Sequence, residues 1–115
     1  MIFIIDDDEI MAGCMSRAAN TSVRIFKDAI SAMSAISEGD LPSLIFLDIL
    51  LDGPDGFTFL NELISYPDTA KIPVVIVSSL DFPKQGIGSY KIAGVLNKDT
   101  MKPADIRSYV RKYAE

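Results

Sequence analysis

Five short apolar runs, separated by segments with helical periodicity, set the architecture of this chain. The first, third and fourth runs are apolar at every position, which predicts strands buried on both faces, as is typical of a parallel sheet covered by helices. Parallel strands need crossover connections, so the alternation predicts a β/α/β/α order. The predicted strands are Ile2 to Ile5, Val23 to Phe26, Leu44 to Leu47, Val74 to Val77 and Val95 to Leu96.

Segments between and after these runs carry apolar residues at helical spacing and predict helices that lie on the sheet. In the second helix the predicted inward stripe is Ile30, Met33 and Ile36 or Ser37. The segment from Asp81 to Gly94 is interrupted by proline and glycine, so it predicts only a short or irregular fourth helix. The other predicted helices are Ile10 to Ala19, Ala29 to Glu38, Phe57 to Ser65 and Pro103 to Ala114.

Length and charge limit the classes of protein that fit. The chain has 115 residues with 11 basic and 16 acidic side chains, so residues 1–115 are expected to form one domain. The single cysteine, Cys14, is expected to be a small buried residue, and the lack of histidine excludes a Cys/His zinc site. The acidic balance argues against direct nucleic-acid binding. No apolar run reaches the ~20 residues of a membrane span, and we expect a cytoplasmic protein.

Polar residues gather where the predicted strands end. The carboxyl ends of parallel strands share one edge of a sheet, so the side chains of Asp6, Asp7, Asp48, Ser78 and Lys98 should converge there. Carboxylates that close together favour a hard divalent cation, and Mg²⁺ is the expected cofactor. A carboxylate beside this cation can attack a phosphoryl group, while a hydroxyl and an ammonium stabilise the transferred charge.

These residues sit in motifs that resemble the receiver domain of two-component response regulators, over essentially the whole chain. The motifs are IIDDD from Ile4, IFLDILLDGPDGF from Ile45, IPVVIVSS from Ile72 and VLNK from Val95. The resemblance implies a doubly wound α/β fold, with a five-stranded parallel sheet in the order 2-1-3-4-5 between two helix layers.

The resemblance also implies a function for the acidic residues. Asp48 would accept a phosphoryl group from a phosphohistidine, carried by a sensor histidine kinase or a phosphotransfer protein of a phosphorelay. Asp6 and Asp7 would form the acidic pair, and Asp7, Asp48 and the backbone carbonyl of Leu50 would be the direct protein ligands of Mg²⁺. The transfer to Asp48 and its later autodephosphorylation would be self-catalysed, unlike the reaction of a conventional enzyme.

Three positions depart from the usual pattern of the family. Ser78 replaces the usual threonine and keeps the hydroxyl that would contact the phosphoryl group. Val95 replaces the aromatic residue that turns inward on activation, so the standard hydroxyl–aromatic switch cannot operate. Asp99 replaces the proline of a Lys-Pro pair. Lys98 and Lys102 are both candidates for the lysine that pairs with the phosphoryl group. Lys98 is preferred because it directly follows the fifth predicted strand.

Signalling would pass through a change in the surface around the fourth helix, the fifth strand and the last helix. That surface would contact an output domain or a downstream protein, and homodimerisation is an open alternative. The chain is expected to be either a stand-alone receiver or a piece of a longer regulator.

Two other functions fit parts of the pattern. A receiver-like domain that no longer accepts phosphate would work as a protein-interaction module. A haloacid-dehalogenase-like phosphatase would use Asp6 as nucleophile and Asp8 as acid/base, with Ser78 and Lys98 beside them, but it leaves Asp48 without a role. Asp8 otherwise suits the first turn of the first helix.

Overall fold

Five parallel strands form one sheet in the order β2-β1-β3-β4-β5. The computed structural model describes residues 1–48, 56–79 and 92–114. The strand order and the doubly wound architecture confirm the predicted fold class. The strands are β1 Ile2–Ile5, β2 Val23–Phe26, β3 Leu44–Asp48, β4 Val74–Ser78 and β5 Ile92–Asn97, and the helices are α1 Glu9–Ala19, α2 Ala29–Ser37, α3 Gly56–Ile64, α4 Pro67–Ala70 and α5 Pro103–Tyr113.

Helices cover both faces of the sheet, and the fully apolar strand β1 contributes side chains to the core on each face. Successive side chains of a strand point to opposite faces. In β1, Ile2 and Ile4 pack into a cluster with residues of α1 and α5. Phe3 and Ile5 pack on the other face with residues of α2 and α3. All four side chains are fully buried.

The predicted bounds of β1 and β2 are those observed, and β3 and β4 each extend one residue further, to Asp48 and Ser78. The prediction for β5 was too short, because the strand begins at Ile92 and includes Gly94. Glycine interrupts an apolar pattern, but here it allows a close approach: an added Cβ would lie 2.5 Å from Cζ of Tyr109. The rest of the predicted fourth helix lies outside the described residues.

The inward face of α2 differs in part from the predicted one. Ile30 is 62% exposed, so its predicted burial was wrong, whereas Ile36 is buried as predicted and Met33 is partly buried against the core. Beside Ile36, the helix rests on the sheet through alanines, whose small side chains allow close packing. The buried positions of α2 are Ala29, Ala32, Ala35 and Ile36.

The cap of α1, the short helix α4 and the exposure of Cys14 are three further local features of the fold. Asp8 caps α1, where its Oδ1 accepts hydrogen bonds from the backbone N–H groups of Ile10 and Met11. The short helix α4 was not predicted, although Pro67 occupies its first turn. Cys14 is exposed on α1, so its predicted burial was wrong. Within the three described ranges, no helix combines the length and apolar character needed to cross a bilayer.

We predict opposite effects on stability for two glycine-to-alanine substitutions. Gly94→Ala places a Cβ in the space of the phenolic end of Tyr109, whose side chain must shift, so it should lower the free energy of unfolding by about 1–3 kcal/mol. Gly13→Ala lies inside α1 with its nearest neighbour, Arg17 Nη1, at 3.7 Å, and should raise stability by about 0.5–1 kcal/mol. Urea denaturation of both variants measures the two effects.

The Tyr109→Ala background separates steric conflict from strand propensity. Adding Gly94→Ala to that background should cost much less than adding it to the wild type. An equal cost in the two backgrounds would show that the Tyr109 ring does not dictate the glycine.

Candidate functional site

Four neighbouring strands bring the candidate residues to one edge of the sheet. Asp6 directly follows β1, Asp48 and Ser78 are the last residues of β3 and β4, and Lys98 directly follows β5. The four strands are parallel, so their carboxyl ends meet at the same edge. Residues far apart in the sequence therefore form one cluster.

The ammonium of Lys98 lies between two carboxylates. Its Nζ is 2.9 Å from Oδ2 of Asp6 and 3.0 Å from Oδ2 of Asp48. Asp6 is 2% exposed and Asp48 is 6% exposed, while the Lys98 side chain is 13% exposed. Charges held this far from water need partners, and the two ion pairs supply them.

The turn after β5 positions Lys98. The backbone N–H of Lys98 donates to the carbonyl of Ser78 at 2.8 Å, which fixes the start of the turn against β4. Asn97 organises the next residues: its side-chain oxygen accepts from the N–H of Asp99 at 2.8 Å, and its carbonyl accepts from Met101 at 2.8 Å. This role of Asn97 was not predicted, although an asparagine at a strand end is a common signal for this type of turn.

Asp6 is held rigidly but is incompletely satisfied. Its Oδ1 accepts a hydrogen bond of 2.9 Å from the N–H of Asp8. Its Oδ2 is buried and lacks a hydrogen bond, because the angles of the close Lys98 contact are not those of one. A buried carboxylate oxygen with only an ion pair has capacity for a further electrostatic partner.

A divalent cation fits this cluster. One carboxylate oxygen from each of Asp6, Asp7 and Asp48 lies within 4.8 Å of the other two. Asp7 is exposed while the other two carboxylates are buried, so the group opens to solvent on one side. Oxygen ligands with room for water are what Mg²⁺ requires. Leu50, the predicted carbonyl ligand, lies outside the described residues.

Burial and ion pairing shift the pKa values in the cluster. Burial raises the pKa of Asp6 above its ordinary 3.8, although the Asp8 hydrogen bond and the Lys98 ammonium act in the opposite direction. For Lys98, burial disfavours the ammonium, but the carboxylates of Asp6 and Asp48 outweigh it and raise the pKa above 10.5. Lys98 therefore stays positively charged at neutral pH.

Of the remaining predicted residues, Ser78 lies at the same edge of the sheet as the cluster, whereas Lys102 and Val95 lie elsewhere. Ser78 is 1% exposed at the end of β4, beside Asn97 in the strand register. Lys102 is the N-cap residue of α5, whereas the ammonium of Lys98 contacts the carboxylates. Val95 lies inside β5 and packs against the core on the α2 and α3 side.

Comparisons with known proteins agree with this geometry. A family model described as "Response regulator receiver domain" matches residues 2–111. Response regulator PleD of Caulobacter vibrioides is 32% identical over 82 residues, which are 70% of this chain and 18% of PleD. Response regulator Rcp1 of Synechocystis is 26% identical over 103 residues, which are 80% of this chain and 70% of Rcp1. This chain thus spans less than a fifth of the length of PleD.

Solved structures show the same fold. The Mn²⁺-bound form of Rcp1 superimposes with a TM-score of 0.78 at 24% identity, covering 95% of this chain and 90% of that one. The phosphorylated cyanobacterial phytochrome response regulator RcpA gives a TM-score of 0.81 at 20% identity, covering 99% and 93%.

The raised pKa of Asp6 predicts a pH dependence of stability in the presence of a chelator. The folded protein holds the Asp6 proton more tightly than the unfolded chain does, so ionisation of Asp6 opposes folding. Relative to Asp6→Asn, the wild type should lose unfolding free energy as pH rises above 3.8, the ordinary pKa of the carboxyl, towards neutral pH. Urea denaturation across that range measures the difference.

Added Mg²⁺ provides the control for this experiment. The cation should recover stability at neutral pH more strongly in the wild type than in Asp6→Asn, because only the wild type keeps all three carboxylates. A difference between the two proteins that does not change with pH would contradict the assignment of burial as the dominant influence on Asp6.

Proposed function

This chain belongs to the response regulator receiver domain family, and on that premise we propose that Asp48 is its phosphoacceptor. The proposed donor is a phosphohistidine on a sensor histidine kinase or on a phosphotransfer protein. The observation that carries the proposal is the Asp48 carboxylate at 3.0 Å from the Lys98 ammonium, within a cluster of acidic side chains. Such a site can bind a phosphoryl group and neutralise its charge.

The proposed reaction transfers a phosphoryl group between two nucleophiles. A carboxylate oxygen of Asp48 forms a bond to phosphorus while the P–N bond of the phosphohistidine breaks, and its electron pair returns to the imidazole nitrogen. Attack of water on the acyl phosphate later releases inorganic phosphate and restores the carboxylate. The chain's contribution to both steps is to position groups and to stabilise charge on the transferred oxygens.

The acidic cluster is the proposed Mg²⁺ site, with Asp7, Asp48 and the carbonyl of Leu50 as direct ligands and Asp6 beside them. Mg²⁺ in such a site supplies positive charge to phosphoryl oxygens during transfer. Three carboxylates that approach within 4.8 Å repel one another and the incoming phosphate, so a cation is needed for the phosphoryl group to approach.

Lys98 and Ser78 are proposed to contact the phosphoryl group. The Lys98 ammonium already contacts Asp48, so a small movement lets it pair with a phosphoryl oxygen on that side chain. The Ser78 hydroxyl ends the adjacent strand β4 and can donate a hydrogen bond to another oxygen. Both groups reduce the negative charge that develops during transfer.

The structure gives little support to the phosphatase alternative. That reaction requires the Asp8 carboxyl to exchange protons with the substrate, but its Oδ1 accepts hydrogen bonds from Ile10 and Met11 at the start of α1. Asp8 is also absent from the group of converging carboxylates among the described residues. Asp8 therefore serves as the control residue that separates the two mechanisms.

Phosphorylation is proposed to change the surface around β5 and α5; the predicted fourth helix, which completes the expected surface, falls mostly on residues outside the described ranges. Lys98 joins β5 to the turn that leads into α5. A shift of its ammonium towards a phosphoryl group would therefore displace the end of β5 and this turn. Val95 packs in the core rather than presenting a ring, so the change should involve the turn instead of an aromatic rotation. A downstream protein or an output domain would bind this surface.

We predict that acetyl phosphate adds one phosphoryl group to the wild type in a Mg²⁺-dependent reaction, as measured by intact mass. Asp48→Asn should abolish the addition, because an asparagine side chain lacks the carboxylate nucleophile that forms the acyl phosphate. Lys98→Ala should slow the addition on the order of 10²-fold, the typical effect of removing one charge-stabilising donor.

Asp8→Asn is the matched control, since asparagine keeps the helix cap. Phosphorylation of this variant should equal that of the wild type. If Asp8→Asn abolished the reaction with acetyl phosphate while Asp48→Asn retained it, the result would favour the phosphatase chemistry. No reaction of the folded wild type would leave the phosphate-independent interaction module as the better account.

A further inference from the structure

A groove of about 530 Å³ lies between α2 and α3, in the helix layer that does not contain α1 and α5. We call it the α2–α3 groove. It continues into a second cavity of about 500 Å³ beside α4, with which it shares Met33, Ser37 and Glu62. The residues that define the groove are Ile30, Met33, Ser34, Glu38, Thr58 and Glu62.

The α2–α3 groove exposes apolar side chains that a monomer normally buries. Ile30 is 62% exposed on α2, and Leu41 and Tyr66 at the second cavity are 49% and 58% exposed. All nine residues of α2 are uncharged, although one side of the helix faces solvent. A solvated helix face usually carries charged residues, so this surface has the composition of an interface.

Every charged side chain among the described residues that line the two cavities is acidic. Glu38 and Glu62 border the α2–α3 groove, and Asp68 and Glu62 border the second cavity. Neither lining includes a lysine or an arginine among the described residues. An apolar floor with acidic borders favours a ligand that is apolar in the centre and positively charged at its edges.

We propose that the α2–α3 groove binds an amphipathic helix of a partner protein, with apolar anchors on one face and Lys or Arg beside them. The nine residues of α2 rise about 13 Å, which matches two to three turns of a helix lying alongside. Exposed serines along α2, such as Ser34, let the backbone of the partner approach closely. The apolar anchors fill the space beside Ile30 and Met33, in the manner of other helix-in-groove interfaces.

A second copy of this chain is a poor occupant of the groove. In a symmetric dimer through the groove, the acidic border of each copy, with Glu38 and Glu62, would face the acidic border of the other, and like charges at an interface oppose association. The site is also independent of the phosphoacceptor cluster, since binding of the helix needs neither Asp48 nor Lys98.

The test uses a designed peptide as the probe. The peptide has about 16 residues, with leucines at i, i+3, i+4 and i+7, lysines beside them and one tryptophan. This chain contains no tryptophan, so the fluorescence of the peptide reports binding directly. We expect a micromolar Kd, with amide shifts in NMR spectra centred on α2 and α3. A peptide with glutamate in place of lysine should bind at least about tenfold more weakly.

Matched variants decide whether the groove is the binding site. Ile30→Ser and Glu62→Lys should each weaken binding about tenfold or more, because they remove an apolar contact and reverse a charge. Ile10→Ser is the apolar control, since Ile10 is 81% exposed on α1, and Asp99→Lys is the charge control. Both controls should bind the peptide like the wild type.

Three results would overturn the proposal. The first is equal affinity for the lysine and glutamate peptides, and the second is binding that Ile10→Ser weakens as much as Ile30→Ser does. The third is concentration-dependent dimerisation, measured by sedimentation, that Ile30→Ser abolishes, because it would identify a second copy as the occupant. Phosphorylation by acetyl phosphate should be unchanged in Ile30→Ser, so failure here is distinguishable from failure of the phosphoacceptor assignment.

Discussion

The ammonium of Lys98 connects the ends of three strands through two ion pairs. Asp6 follows β1, Asp48 ends β3, and Lys98 follows β5, so each pair joins segments that are distant in the sequence. The carboxylates are nearly inaccessible to water, which makes the unpaired state of any member costly. The remaining features of the edge follow from this constraint: the Asn97 turn that presents Lys98, the Asp8 hydrogen bond that orients Asp6, and the excess of carboxylates that favours a cation.

Sequence reasoning located the strands well, because a continuously apolar run has few ways to be buried. The strand ends then placed Asp6, Asp48, Ser78 and Lys98 on one edge, as the fold requires. The pattern failed at β5, where the pairing of Gly94 with Tyr109 is a tertiary contact that no local periodicity reveals. Likewise the geometry of the cluster, such as the missing hydrogen bond at Asp6 Oδ2, depends on angles that a sequence does not contain.

The face of α2 shows how an apolar pattern can mislead. Both Ile30 and the alanines recur at helical spacing, and hydrophobicity alone favours burial of the larger residue. The helix instead buries its three alanines together with Ile36, and the small alanine side chains allow close packing over the sheet while Ile30 lies on the solvent side. The exposed Ile30 lines the α2–α3 groove, which is apolar with acidic borders and lies on the side of the sheet away from α1 and α5. The chain thus combines a polar strand edge suited to phosphoryl chemistry with a separate apolar surface suited to a partner.

A crystal structure with Mg²⁺ and beryllofluoride shows which carboxylate accepts a phosphoryl group, since beryllofluoride mimics a phosphoryl group on a carboxylate. We expect beryllium bonded to a carboxylate oxygen of Asp48, fluorides in contact with the Lys98 ammonium and the Ser78 hydroxyl, and Mg²⁺ bound by the acidic cluster. Beryllofluoride bonded to Asp6, or Lys98 still paired only with the carboxylates while Mg²⁺ is bound elsewhere, would show that Asp48 is not the phosphoacceptor of this site.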